Sequence, residues 1–330
     1  MVIVVPTKFA SGSVPTYWSL ATRSVLTGSV RPAPARRNLM TIQGMTPAVA
    51  LSIPSPNWSG WSVGHVTIHM YAICILAGII VAYVLGTKRY EARGGSSEEF
   101  DRIATWGIIF GIVGARAYHV ITDHQLYFGP GRQWYRALYI WEGGLGIWGS
   151  IAGGALAVWV VTRVHKLNFG IIADSLAPGI LYAQAIGRLG NWFNQELFGR
   201  PTEVAWALRI DPSHRPVGYE QFATFHPTFL YELIWNSLGA TVLLLVDRRW
   251  KLDHGRLFAL YVVVYTTGRF FVERLRIDPA NHVQGWRINS YTSIIVWAAG
   301  LVVFIALQAK YGRHDGKEPV EHHETEVTKN

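Results

Sequence analysis

The sequence predicts an all-α integral membrane protein with about seven transmembrane helices and a small extracytoplasmic head between the fourth and the fifth. Two observations predict this class. Half of the 330 residues are hydrophobic and only 15% are charged, a balance that is unusual for a water-soluble domain. From residue 66 onward, the apolar residues fall into seven stretches, each close to the roughly 20 residues that cross a bilayer core.

The seven stretches are separated by polar links. They cover residues 66–85, 103–121, 145–164, 171–186, 229–246, 257–272 and 291–308. Glycines recur within them, as at Gly107, Gly111 and Gly114, and small residues at such spacing let helices approach closely in lipid. The single cysteine, Cys74, lies inside the first stretch. We therefore expect neither an intramolecular disulfide nor a cysteine-based metal cluster.

Polar segments flank the apolar region. Residues 1–60 are predicted to be a mostly disordered N-terminal extension, with a basic patch at 31–37 and with Met45 as an alternative translation start to Met1. Residues 61–309 are predicted to form the transmembrane domain. The charged residues 310–330 are predicted to be a disordered tail.

Charges in the links predict the orientation. Three short links are basic, at residues 87–93, 163–166 and 247–256, and all three fall on one side of the membrane by parity. Positive links lie in the cytoplasm, so we expect the N-terminus outside, the C-terminal tail inside and residues 192–226 as the extracytoplasmic head. The formal net charge of +9 is accounted for by these links, and no nucleic-acid-binding motif is present.

Polar residues collect near the outer ends of six predicted spans. Arginine at outer helix ends opposes the usual charge bias, and a charge within a span costs at least ~2.5 kcal/mol. A structural ion pair, such as Arg269 with Glu273 at i and i+4, explains any one of them. Together they predict a polar, anion-binding cavity that opens to the outer leaflet. The residues are Tyr71, Arg116, His119, Glu142, Arg188, Asn191, Glu196, His226, Glu232, Arg269 and Glu273.

Residues 187–200, GRLGNWFNQELFGR, form the central motif. If a helix continues through it, Arg188, Asn191 and Gln195 share one face. An arginine beside amides (Asn191, Asn194) and a carboxylate (Glu196) is suited to binding phosphate or carboxylate. The alternative is an interfacial helix end whose polar side chains are solvated.

Three further motifs accompany it. YTTGRFFVE, at 265–273, repeats Tyr265, Arg269 and Glu273 every four residues, so that they form one stripe along a helix. WEGGLGIWGSIAGG, at 141–154, is rich in glycine where a helix begins, which is a weak signal alone. HPTFLYE, at 226–232, places His226 just before a helix, as a cap or as a functional group.

With IHMY at 68–71 and GARAYH at 114–119, these motifs resemble the bacterial phosphatidylglycerol:prolipoprotein diacylglyceryl transferases over residues 53–309. The resemblance implies a multi-pass enzyme of the bacterial cell membrane whose active site faces the outer leaflet. Its substrates would be phosphatidylglycerol and preprolipoprotein lipobox peptides. It would move the diacylglyceryl group onto the lipobox cysteine thiol and release sn-glycerol 1-phosphate.

The resemblance also implies roles for individual residues. Arg188 corresponds to the essential phosphate-binding arginine, and its companions are Asn191, Glu196 and Gly199. Tyr71, Tyr265, Arg269 and Glu273 match further positions that are important in the family. One departure concerns a histidine that some members carry in the glycine-rich motif, where this chain has Trp148. To these positions we add Arg116, Glu142 and Asn194 as substrate-binding candidates.

The identity of the general base is open at the level of sequence. The acceptor thiol, whose free pKa is about 8.5, must lose a proton or have its pKa lowered. Glu196 ranks ahead of His226, and the positive potential of Arg188 and Arg269 is a third possibility. We predict no cofactor and no metal, because no motif of the HExxH kind is present.

A transporter for an anion or a lipid is the main alternative, because buried arginines also line conduction paths. That function predicts polar residues in both leaflets and often an inverted repeat. The sequence shows polar clustering on one side and no repeat. Alcohol phosphatidyltransferases, another class of lipid enzyme, depend on aspartate-rich metal motifs that this sequence lacks.

Overall fold

The computed structural model describes residues 2–3, 52–63 and 66–312. Within these ranges the chain forms seven long helices: α1 Met70–Glu91, α2 Ser97–Thr122, α3 Ile147–Val164, α4 Phe169–Phe193, α5 Thr228–Trp250, α6 Arg256–Glu273 and α7 Ile288–Tyr311. All except α6 are long and apolar enough to cross a membrane. The predicted helical membrane fold is therefore confirmed. Most of the predicted N-terminal extension and the tail beyond residue 312 lie outside the described residues.

Short strands connect or precede the helices. In chain order they are β1 Val2–Ile3, β2 Ile53–Pro54, β3 Gly60–Val63, β4 Val66–His69, β5 Leu145–Gly146, β6 Leu208–Arg209, β7 Thr224–Phe225, β8 His282–Val283 and β9 Trp286–Arg287. β1 pairs antiparallel with β5, β3 with β4, and β8 with β9. β6 lies between β2, its parallel partner, and β7, its antiparallel partner.

The start of the first predicted span is wrong. Residues 66–69 form strand β4 of a hairpin, and α1 begins only at Met70. The β-branched residues Val66, Thr67 and Ile68 favour an extended conformation. Because hydropathy does not distinguish an apolar strand from a helix, the sequence joined this strand to the span that follows it.

The chain divides into two units. The described residues of the smaller unit are 2–3 and 111–153, and those of the larger unit are 52–63, 66–110 and 154–312. Helices α2 and α3 each begin in one unit and end in the other. The residues of the central motif all belong to the larger unit.

Helix α4 is the most enclosed of the six apolar helices. Half of the residues in the most apolar 18-residue stretch of α4 are buried, compared with 11–33% in the same stretch of the other five helices. Glycines let α1 approach it: a Cβ at Gly78 would lie 3.0 Å from the carbonyl oxygen of Ala183, and one at Gly179 would lie 3.0 Å from Cα of Ala82. For these glycines the structure supports the packing role expected of small residues in lipid.

The basic links of the larger unit meet at one end of its helices. Arg93 contacts Asp247 and Asp253, both at 2.8 Å, and Arg102 lies 3.1 Å from His165. The links that follow α1, α3 and α5 are therefore close together, as parity predicted. Asp174 of α4, fully buried, accepts hydrogen bonds from the backbone N–H groups of Gly255 and Phe258. It thereby caps the N-terminus of α6, where the backbone N–H groups have no helical partners.

Residues 194–227 form a compact segment between α4 and α5. Strands β6 and β7 belong to its sheet, and β2 joins the same sheet through pairs such as Ile53 with Leu208. Phe198, Leu208, Ile210 and Phe225 form its buried core together with Phe229. The segment coincides with the head predicted at 192–226, and its extracytoplasmic location stays a prediction.

Candidate active site

The central motif does not continue as one helix. Helix α4 ends at Phe193, and Gln195 has a positive φ of 50°. The amide of Gln195 turns to the head, where it donates to Asp211 Oδ2 at 2.7 Å and to the carbonyl oxygen of Pro56. The predicted shared face therefore holds for Arg188 and Asn191 and is wrong for Gln195.

Glu232 joins two arginines from different helices. Its Oε2 lies 2.7 Å from Nε of Arg188 in α4, and its Oε1 lies 3.5 Å from Nη1 of Arg269 in α6. The three side chains are 7–15% exposed. Charges this far from water strengthen each other's interactions and are costly when unpaired. This triad, Arg188–Glu232–Arg269, is the centre of the site.

A second set of charges continues from Arg269. Nη2 of Arg269 lies 2.6 Å from Oε2 of the fully buried Glu273, as the i, i+4 spacing predicted. Oε1 of Glu273 lies 2.7 Å from Nε of Arg287. Arg287 and Arg276 both contact Asp278, at 2.9 and 2.6 Å. Burial alone would raise the pKa of the Asp278 carboxyl, but the hydrogen bond and charge of Arg276, together with Arg287, hold it below its usual value.

Seven side chains form one continuous line of ion pairs with alternating charge. In order of contact they are Arg188, Glu232, Arg269, Glu273, Arg287, Asp278 and Arg276. The line contains four arginines and three carboxylates, which leaves one excess positive charge. Among the described residues, Nη2 of Arg188 and Nε of Arg269 have no hydrogen-bonding partner. The arrangement therefore offers guanidinium donors and net positive charge to an anion.

Glu196 is connected to the triad through an amide. Nη1 of Arg188 donates to Oδ1 of Asn191 at 3.2 Å, and Nδ2 of Asn191 donates to Oε1 of Glu196 at 2.8 Å. Asn194 donates to the same oxygen at 3.2 Å. Oε2 of Glu196 has no partner among the residues that the structure describes. Two amides thus hold the carboxylate and leave one oxygen available.

A cavity of about 300 Å³ lies beside Glu196. Its wall includes both Glu196 and Asp278, and it is otherwise formed mainly by the residues that follow α4 and α6: Asn194, Gln195, Leu197, Phe198, His214, Pro216, Ile277 and Pro279. Glu196 is thus part of the wall of a space large enough for a side chain of a second molecule.

Tyr71 packs directly on the central motif. A Cβ at Gly190 would lie 2.5 Å from Cδ2 of the Tyr71 ring, so glycine is required for this contact. Tyr265 lies one turn from Arg269 in α6, and its ring stacks on that of Tyr261 at 6.2 Å between centroids. Both predicted tyrosines thus belong to the larger unit, with Tyr71 in contact with α4.

His226 lies just before α5 and does not contact the triad. Its Nδ1 is 3.0 Å from the hydroxyl of Tyr231. Burial lowers the pKa of the His226 imidazole from its ordinary value, and the positive charge of Arg200 lowers it further. A Cβ at Gly199 would lie 2.8 Å from Cβ of His226, so Gly199 allows the chain after the central motif to pass closely.

Three candidates belong to the smaller unit. The guanidinium of Arg116 donates to four backbone carbonyl oxygens, those of Arg136, Ala137, Gly143 and Gly144, at 2.6–3.1 Å. His119 lies 3.0 Å from Asp123. Glu142 ends a short 3₁₀ helix. Arg116 thus holds the loop that precedes α3, and its binding role and that of Glu142 stay predictions.

Comparison with known proteins identifies the family. Residues 60–306 match the model of the prolipoprotein diacylglyceryl transferases. A phosphatidylglycerol–prolipoprotein diacylglyceryl transferase of Cutibacterium acnes is 61% identical over 282 residues, which cover 86% of this chain and 95% of the relative. This chain belongs to the prolipoprotein diacylglyceryl transferase family. The resemblance that the motifs indicated is confirmed.

Other diacylglyceryl transferases agree over similar lengths. A second relative, phosphatidylglycerol–prolipoprotein diacylglyceryl transferase 2 of Streptomyces coelicolor, is 48% identical over 81% of this chain and 84% of its own length. One from Mycobacteroides abscessus is 47% identical over 80% of each chain. Membership in this family makes the chain a membrane-embedded transferase.

Sequence reasoning gave no role to several residues of the candidate site. Glu232, the acid that ends the HPTFLYE motif, was placed in the predicted polar cavity without a role of its own. Arg287 reaches Glu273 because β8 and β9 form a hairpin with a two-residue turn at Gln284 and Gly285, both with positive φ (48° and 80°). The Gln-Gly pair was the only local signal for this turn. No sequence signal marked Arg276, Asp278 or Asn289, whose amide donates to Oε1 of Glu273 at 3.0 Å.

Proposed function

We propose that this chain transfers the diacylglyceryl group from phosphatidylglycerol to the thiol of the lipobox cysteine in preprolipoproteins. The observation that carries the proposal is the triad Arg188–Glu232–Arg269, with an excess positive charge and free guanidinium donors. Two arginines that converge in a partly desolvated site suit a phosphodiester headgroup. The family relationship supplies the class of reaction, and the geometry supports the substrate.

The reaction makes one bond and breaks one. The thiolate sulfur attacks the sn-3 carbon of the diacylglyceryl group, and the bond from that carbon to the phosphate oxygen breaks. The products are a thioether and sn-glycerol 1-phosphate, which carries the electrons of the broken bond as a phosphomonoester. Arg188 and Arg269 stabilise the charge that develops on this leaving group.

Glu196 is our candidate for the base that removes the thiol proton. Its Oε2 has no protein donor among the described residues, and Glu196 is one of the residues that form the wall of the 300 Å³ cavity. Through Asn191 it is one side chain away from Arg188. His226, the second candidate, is engaged with Tyr231 and contacts neither arginine. These contacts support the order Glu196 before His226.

The remaining roles follow from position. Asn191 and Asn194 orient Glu196, Tyr71 and Tyr265 orient the lipid by hydrogen bonding, and Glu273 holds Arg269 in place. We place this site in the outer leaflet, with the N-terminus outside and the C-terminus in the cytoplasm, on the basis of the positive links. The lipobox segment then reaches the site from the extracytoplasmic side.

The test is product formation by the purified full-length chain. We expect the chain, incubated with phosphatidylglycerol and a lipobox peptide, to form a diacylglyceryl thioether that mass spectrometry detects, together with glycerol phosphate. A peptide with serine in place of the lipobox cysteine is the control. Absence of thioether under conditions in which a known family member is active would overturn the proposal. The transporter alternative has no support from the relatives.

A further inference from the structure

A second polar level lies one helical turn from the triad. Helices α4 and α5 run antiparallel, because Arg188 contacts Glu232 while Tyr182, further back along α4, bonds Thr241, further along α5. Gln184 precedes Arg188 by four residues in α4, and Asn236 follows Glu232 by four residues in α5. Gln184 and Asn236 therefore lie at the same level between the two helices.

Helix α6 contributes two tyrosines to this level. Nε2 of Gln184 donates to the hydroxyl of Tyr261 at 3.2 Å. A Cβ at Gly239 would lie 2.7 Å from Val264, so α5 and α6 are close here. Tyr265, one turn from Arg269, stacks on Tyr261. The level thus contains two amides and two phenol groups inside the membrane part of the protein.

Two atoms at this level have no partner among the described residues. Asn236 is only 2% exposed, and its Nδ2 makes no hydrogen bond. Oε1 of Gln184 is also buried and unpaired. A buried polar group without a partner is costly, above all in a membrane where water cannot replace the missing bond. Such groups are retained where a ligand completes them.

The neighbouring surface of α4 leaves room for a ligand. Gly187 lies between Gln184 and Arg188, and a Cβ added there would meet no heavy atom within 4 Å. The surface of α4 is therefore open at Gly187, between the arginine and the amide of Gln184.

We propose that Asn236 and Gln184 bind the ester carbonyl oxygens of the phospholipid whose phosphate lies at Arg188 and Arg269. The inference rests on the proposed function. A few covalent bonds separate phosphate from ester carbonyls in a glycerophospholipid, a span comparable with one helical turn of about 5.4 Å. Asn236 offers its NH₂ group directly. Gln184 can do the same, because the Tyr261 hydroxyl can also donate to its carbonyl oxygen.

The experiment compares phosphatidylglycerol with its diether analogue, which has the same headgroup and no carbonyl groups. We expect the wild-type enzyme to prefer the diester by about 3- to 10-fold in kcat/KM, the effect of one or two hydrogen bonds. Asn236→Leu should bring the ratio close to one, through a higher KM for the diester. Gln184→Met is a second variant with the same expectation. Thr241→Val, which removes the bond to Tyr182 elsewhere on α5, should keep the wild-type ratio.

Binding of both lipids to each variant is measured in parallel by native mass spectrometry, so that the amide subsite is tested without turnover. An active Asn236→Leu enzyme with the wild-type ratio would overturn the inference and leave the proposed function standing. Equal losses with both lipids would also overturn it, because they would show a purely structural role. If the wild-type chain forms no thioether but still binds the diester more tightly than the diether, the amide subsite is supported and the proposed transferase function is overturned.

Discussion

Glu232 contacts Arg188 at 2.7 Å and Arg269 at 3.5 Å, and so a single carboxylate aligns the two guanidinium groups of the site. Without it, Arg188 would lose its carboxylate partner and lie near Arg269, which would keep only Glu273 as a counter-charge. The same carboxylate occupies only part of each guanidinium, which leaves donors for a phosphate.

Removing the charge of Glu232 should therefore affect both stability and activity. We expect Glu232→Gln to lower the free energy of unfolding by about 1–3 kcal/mol and to reduce transfer at least 10-fold, since the arginines lose their alignment. Thermal unfolding in detergent and the thioether assay measure the two effects. Glu203→Gln, an exposed carboxylate in the head, is the matched control. Full activity of Glu232→Gln would remove the residue from the site.

Arginine at position 188 should not be replaceable by lysine. Arg188 uses Nε for Glu232 and Nη1 for Asn191 while keeping Nη2 for substrate, and a single ammonium group cannot reproduce this geometry. We expect Arg188→Lys to reduce kcat/KM by about 100-fold or more, with the folded fraction unchanged. Arg248→Lys, at an exposed position of α5, should be active. Near-normal turnover of Arg188→Lys would contradict the role.

Replacing only Arg269 and Glu273 by apolar residues should destabilise the protein. Exchanging both for apolar residues leaves Glu232 without one partner and Arg287 without its Glu273 contact. We expect Arg269→Met with Glu273→Leu to destabilise the protein by about 3–5 kcal/mol, the usual effect of an uncompensated buried charge.

Adding Arg287→Met to that double variant tests the explanation. The triple variant leaves Arg188 with Glu232 and Arg276 with Asp278 as neutral pairs, so much of the thermal stability should return. Transfer should stay absent, because Arg269 is missing. A stable and active triple variant would show that Arg269 serves only structure.

The pH dependence of transfer should distinguish the two candidate bases. We expect Glu196→Gln to lose about 100-fold or more in rate with the ordinary lipobox peptide, a typical effect of a general base, and to recover with an acceptor whose thiol has a low pKa. His226→Gln should stay close to wild type. If His226 were the base, wild-type activity would fall as pH drops through its pKa, which lies below the ordinary 6.5 or so. The residual activity of His226→Gln would then show no such fall with decreasing pH.

Asp278 should make stability dependent on acid pH. Its pKa is held below the ordinary value of about 3.9 by Arg276 and Arg287, so its contribution is complete above that value and is lost as pH falls through the folded pKa. We expect Asp278→Asn to be less stable than wild type by about 1–3 kcal/mol at pH 7. The difference in Tm should narrow as pH falls below about 4. A constant difference would exclude the ion pair as its cause.

The sequence by itself determined the membrane class, the seven helices and the family. Apolar stretches of bilayer length must form helices, because lipid offers no partner for the backbone. The i, i+4 spacing of Arg269 and Glu273 also fixed their contact, since that spacing places two side chains on one face of a helix. These features depend only on which residues lie near each other along the chain, and the sequence gives that directly.

The tertiary structure alone decided which charges from different helices meet. Nothing along the chain indicates that Glu232 lies between Arg188 and Arg269 or that Gln195 leaves the helix for Asp211. The Gln-Gly pair indicates a turn, but not that this hairpin brings Arg287 to Glu273. Each contact joins residues from separate elements, so it depends on how the helices are placed against one another and not on the spacing within one of them. In this site the charges are balanced across helices, and therefore only the packed arrangement shows which of them remain free for a substrate.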